Sequence, residues 1–114
     1  MAIAGAHEKI TQTVLCWTGV TAQPHRFGGT EYLLGTREIG HIHGDYLVDI
    51  PFPSKVRNEI VAAKSAEPHH LLSDSGWISF YIRESADIER VIALLERSYA
   101  IAYQQYQRRT VLEP

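Results

Sequence analysis

Six histidines in a chain of 114 residues carry most of the chemistry this sequence has to offer. Five of them, His25, His41, His43, His69 and His70, fall in or beside stretches whose pattern predicts strands and loops. His41 and His43 are two apart, so on a strand both rings leave the same face. Imidazole takes or gives a proton near neutral pH, and it also ligates zinc, iron and copper. A His-x-His pair with a third histidine or with Asp45 would hold such an ion. Local spacing sets no third ligand, however, so no residue is assigned to a metal from the sequence. The competing expectation is that backbone carbonyls satisfy each ring separately. That would require several independent structural histidines in one short chain.

Other groups add to this set. Arg26 offers a planar fork of donors for an anionic or enolate oxygen, with a salt bridge to Glu31 or Asp49 as the plainer alternative. Glu31 and Asp49 are expected to flank Gly40 on one sheet face, where two carboxylates could share a proton or a cation. Trp77 and Tyr81 would line an apolar pocket or stack on a planar ligand, or serve packing instead. Tyr99, Tyr103 and Tyr106 form a helical stripe of packing aromatics. Cys16 reads as a buried small hydrophobe. There is no phosphate loop, dinucleotide fingerprint or serine-hydrolase elbow.

The elements that must position these groups follow from periodicity. Ala6, Ile10, Val14 and Trp17 predict a helix over 3–17, ended by Gly19. Residues 26–50 predict a three-stranded meander with two-residue turns at Gly35-Thr36 and Gly44-Asp45. That register sets Tyr32, Leu34, Ile39, His41, His43, Tyr46, Val48 and Ile50 on one face, against which the helices are expected to pack. Glu31, Leu33, Glu38, Gly40, Ile42, Leu47 and Asp49 fall on the other. A one-residue change in either turn exchanges the faces. Gly28-Gly29 predicts a bulge or a close backbone approach. Val56, Ile60 and Ala63 mark a helix over 53–64. A loop over 65–75 carries His69-His70. Alternation of Ile78, Phe80 and Ile82 with Trp77, Ser79 and Tyr81 predicts a strand over 76–83. Ser85 is an N-cap candidate for a last helix burying Ile88, Val91, Ile92, Leu95 and Tyr99. The fold class is therefore α+β, ordered α-β-β-β-α-β-α, with a mainly antiparallel four-stranded sheet and helices packed on one face.

Composition bounds the rest. The length suits a single domain, with its core over about 7–106. Apolar residues make up 45%, which a folded core requires. One cysteine leaves no intrachain disulfide and no thiolate-only zinc site. A net charge of −2 with scattered basic residues argues against a nucleic-acid partner. No apolar run nears the ~18 residues of a membrane span, and 1–7 is too short for a secretory signal, so the expectation is a cytoplasmic protein with no membrane partner. A small-molecule ligand and a homodimer are the partners these residues leave open. They name no cofactor.

The runs Trp17-Thr-Gly-Val, Pro24-His-Arg-Phe-Gly-Gly-Thr-Glu-Tyr, Leu34-Gly, Arg37-Glu-Ile-Gly-His-Ile-His-Gly-Asp and Asp49-Ile-Pro-Phe-Pro resemble the small bacterial luciferase-domain proteins. Val56-Arg57, Ala66-Glu-Pro-His-His and Ser75-Gly-Trp-Ile-Ser-Phe extend the likeness, which covers about 14–99. The family name comes from similarity to the longer fungal luciferases, which oxidise a hydroxypyrone with O2 and release CO2 without flavin or metal. The resemblance implies an oxygenase-like site for a small, planar, enolisable molecule. It puts emphasis on residues already singled out, and of these His41, His43, His70 and Arg26 are the catalytic candidates, one histidine as base and Arg26 on the oxyanion. His25, Glu31, Asp45, Asp49, His69 and Trp77 become ligand-binding candidates. A non-catalytic binding or interaction module is the alternative, and a His-ligated metal protein the next. Ser65 stands where relatives carry Gly, which implies a strained helix-ending conformation there. The element order is also similar to double-wing domains, some of which bind DNA, a likeness of fold alone.

Overall fold

Alternating apolar residues build a sheet that is greasy on one side and rich in imidazole on the other. The structure, a computed structural model, describes residues 2–25 and 28–112, the last four by backbone only. The elements are α1 (Ala6–Val14), β1 (Val20–Pro24), β2 (Thr30–Leu34), β3 (Arg37–His43), β4 (Leu47–Pro51), α2 (Ser54–Ala62), β5 (Glu67–Pro68), β6 (Trp77–Tyr81) and α3 (Ala86–Leu112). All strand pairs are antiparallel, in the order β1-β2-β3-β4-β6-β5. The α+β class and the antiparallel sheet are as expected, but among the described residues the sheet has six strands where four were expected. The additions are its two edges. β1 is short and mostly exposed, and β5 is two exposed residues, so neither shows buried alternation.

Two local features set the register and overturn the expected faces. The first turn joins Leu34 to Arg37 as predicted, but a bulge follows between Tyr32 and Leu33. Tyr32 then pairs with Gly40 rather than Ile39, and Thr30 with Ile42 rather than His41. The β3–β4 connection spans three residues, because His43 pairs with Leu47, Ile42 with Val48 and His41 with Asp49. His41 and His43 therefore point away from the helices, whereas Gly40 and Ile42 face them. Glu31 and Asp49 flank His41, not Gly40.

Helices α1 and α3 pack together over the apolar face, where α3 crosses β2, β3 and β4. A Cβ on Gly40 would lie 2.6 Å from Leu95 Cδ2, so the missing side chain lets α3 sit close to the sheet. Ile10, Val14, Tyr32, Ile42, Val48, Ile50, Ile78, Val91 and Leu95 are wholly buried there. Each such aliphatic side chain contributes about 1.5–3 kcal/mol relative to exposure. The Tyr32 hydroxyl bonds Thr11 Oγ1 at 2.7 Å, tying α1 to the sheet. α2 joins this layer through buried Ile60 and the Arg97–Glu59 ion pair with α3.

Other expectations shift locally. Lys64, not Ser65, takes the left-handed conformation after α2, at φ 60°. Cys16 lies beyond α1 and is exposed, so it is no core residue. Trp17 also lies past α1 yet packs on the core, with its ring 5.3 Å from Tyr99. The glycine pair does mark a close approach: a Cβ on Gly29 would fall 2.1 Å from the Ile42 carbonyl oxygen. Among the described residues no helix is long and apolar enough to cross a membrane.

Candidate functional site

The sheet face opposite the helices gathers the imidazoles around one carboxylate. Asp49 is wholly buried in β4, between His41 of β3 and Ser79 of β6 in adjacent ladder rows. Its Oδ2 lies 3.1 Å from His41 Nε2, 3.0 Å from His43 Nε2, 3.2 Å from His70 Nε2 and 3.5 Å from His69 Nε2. Its Oδ1 accepts the Ser79 hydroxyl at 2.7 Å. The same Ser79 oxygen accepts the His70 backbone N–H at 3.1 Å, which anchors the loop that carries both neighbouring histidines.

Each ring is oriented by a different device. His41 Nδ1 meets Glu38 Oε2 at 2.5 Å. Residues three apart do not share a face in a regular strand, and the bulge is what brings these two together. His69 Nδ1 accepts the backbone N–H groups of Leu71 (3.1 Å) and Leu72 (3.0 Å). An acceptor nitrogen carries no proton, so in neutral His69 the proton is on Nε2, which faces Asp49. His25 stacks on His41 with ring centroids 4.1 Å apart, and His69 stacks on His70 at 4.3 Å. Trp77 closes one side, 5.4 Å from His41 and 6.0 Å from His69.

The electrostatics follow from this packing. Burial pushes His41 down, but hydrogen bonds to Asp49 and Glu38 outweigh it and raise its pKa to about 9. Burial pushes Asp49 up, yet hydrogen bonds from His41, Ser79 and His70 hold it below the usual carboxylate range. His69 is lowered, chiefly by burial.

Of the residues singled out from sequence, His25, His41, His43, His69, His70, Asp49 and Trp77 come together here. Glu31 lies beside His41 across the β2–β3 ladder and bonds Gln23 Nε2 at 3.1 Å, at the edge of the cluster. Asp45 is placed elsewhere: its Oδ1 accepts the His7 backbone N–H at 2.8 Å, at the N-terminus of α1. An anionic group there suits the helix dipole. Arg26 lies outside the described residues. Tyr81 sits under the Arg83 guanidinium, 4.9 Å from the ring centre. Two participants escaped sequence reasoning. Glu38 reaches the site only through the bulge. Ser79 was placed on the same face as Trp77 by alternation, but nothing local marked it as a partner of Asp49.

The family described as Luciferase domain matches residues 36–98, more than half of the chain. The chain belongs to the luciferase-domain family. The matched segment holds His41, His43, Asp49, His69, His70, Trp77 and Ser79, so most of the cluster lies within the family's own domain. No curated protein and no solved structure matches the chain.

Proposed function

We propose that the histidine face of this luciferase-domain protein is the active site of a small oxygenase-like enzyme acting on a planar, enolisable molecule. The observation that carries this reading is the convergence of five imidazoles, from three separate stretches of chain, on the sheet face that the helices leave uncovered. Their flat rings and Trp77 offer a stacking surface for a planar ligand. Their nitrogens favour the ionised form of an enol. A ring nitrogen of the face takes the acidic proton, and Arg26, next to His25 in the chain, steadies the oxyanion. The electron-rich carbon of the anion then bonds to O2, with the substrate supplying the electrons that reduce O2 to the peroxide level.

The test is oxygen consumption with a panel of hydroxypyrones. Wild-type protein is expected to consume O2 and probe together, and His43→Ala and His70→Ala to lose about 10²–10⁴ of that rate with an unchanged circular dichroism spectrum. Rates unaltered in both variants overturn the assignment. Binding of a probe without loss of probe or O2 replaces it with a binding module.

A further inference from the structure

The carboxylate at the centre of the face has more nitrogen around it than it can accept. One carboxylate oxygen offers two lone-pair positions. Four imidazole Nε2 atoms lie 3.0–3.5 Å from Oδ2 of Asp49, and Oδ1 is engaged by Ser79. If all four rings carried a proton on Nε2, at least two of these N–H groups would have no acceptor in a largely buried place, which is costly. An arrangement in which some Nε2 atoms present lone pairs to a shared cation satisfies every group.

We propose that Asp49, His41 and His43 bind one divalent first-row transition-metal ion of the zinc or ferrous-iron class. The ligand atoms of His41, His43 and Asp49 lie within 4.8 Å of one another, whereas His70 groups with Asp49 and His69. Donors bonded at about 2.0–2.1 Å to a tetrahedral ion stand roughly 3.3 Å apart, and the 3.1 and 3.0 Å separations from Oδ2 to the His41 and His43 nitrogens are close to that. The remaining contacts read as orienting groups. Glu38 holds Nδ1 of His41, the carboxylate–histidine arrangement common behind metal-bound imidazole. His69 has its Nδ1 occupied by two backbone N–H donors, so its Nε2 donates to Asp49 rather than to an ion. Imidazole and carboxylate without thiolate exclude an all-cysteine iron–sulfur site and suit zinc, ferrous iron or copper better than magnesium or calcium.

The inference deepens the function proposed above by adding a cation beside the groups that meet the substrate anion, and its test separates the two. Protein purified without a polyhistidine tag is stripped with chelator and titrated with Zn²⁺ and Co²⁺ in a calorimeter, with Mg²⁺ as control. One Zn²⁺ per chain is expected, with a raised Tm, and Co²⁺ in visible ligand-field absorption of low symmetry. His41→Ala and His43→Ala should each weaken Zn²⁺ binding at least tenfold, Glu38→Gln about 10–100-fold, and His7→Ala, on the helix side, not at all. Less than about a tenth of an ion per chain, or binding unchanged in both site variants, overturns the metal site. Hydroxypyrone oxidation by protein that binds no Zn²⁺ overturns the metal site and leaves the oxygenase reading standing. Stoichiometric Zn²⁺ binding with no oxidation of any probe does the reverse.

Discussion

His41 and Asp49 stand directly opposite each other in the β3–β4 ladder, with Nε2 of the one 3.1 Å from Oδ2 of the other. Glu31 flanks His41 from the opposite strand. The two carboxylates are unequal, because Asp49 is wholly buried and Glu31 is only half-buried. Asp49→Ala is expected to cost about 3–5 kcal/mol in urea unfolding of chelator-treated protein, since it strands the surrounding imidazoles. Glu31→Ala should cost under about 1 kcal/mol. Equal costs would mean that Asp49 is not the hub of the cluster.

The two glycines of the β1–β2 connection separate strain from collision. Both have positive φ, 93° at Gly28 and 81° at Gly29. A Cβ at Gly28 meets nothing within 4 Å, whereas at Gly29 it strikes the Ile42 carbonyl. Gly28→Ala should lose about 1 kcal/mol from its conformation alone. Gly29→Ala should lose roughly 2–3 kcal/mol more, because a backbone atom cannot swing aside as a side chain can. Similar Tm values for the two variants would contradict the close approach.

Asp87 predicts an acid limb to stability that is independent of the histidine face. Its Oδ2 accepts the N–H groups of Arg83 (2.8 Å) and Glu84 (3.1 Å), and its Oδ1 meets Arg90 at 2.9 Å. Burial pushes its carboxyl up, but these hydrogen bonds outweigh it and the pKa falls below the ordinary 3.8. A carboxyl depressed by folding contributes stability above its unfolded pKa and loses it as pH falls through the folded value. The gap in unfolding free energy between wild type and Asp87→Asn should stay level above about pH 5 and shrink below about pH 4. A gap that does not change with pH would show that the charge on Asp87 is irrelevant to the α3 N-terminus.

His69 should be a single tautomer. With Nδ1 accepting from Leu71 and Leu72, long-range proton–nitrogen NMR at neutral pH is expected to show Nδ1 unprotonated and Nε2 protonated. His69→Asn, whose side-chain oxygen can accept in place of Nδ1, should protect the Leu71 and Leu72 amides better than His69→Ala. The opposite tautomer would remove His69 from its orienting role.

Short-range rules alone placed much of this molecule. Period-two spacing put His41 and His43 on one face and Trp77 with Ser79 and Tyr81. Helical spacing found Ala6, Ile10 and Val14, and Ile88, Val91 and Leu95. Glycine chemistry marked the turn at Gly35-Thr36 and the tight passage at Gly29. These are properties of neighbours along the chain, so the chain itself carries them. Which face the histidines occupy depended on one extra residue at the Ile39 bulge and one in the β3–β4 connection, and a period of two magnifies either into a complete exchange of faces. The meeting of His69 and His70 with Asp49, some twenty residues away, arises only when β6 pairs with β4 and Ser79 ties the loop down. A buried carboxylate draws its partners from whatever the packed sheet brings near it, so tertiary structure alone decided that Asp49 would be the centre.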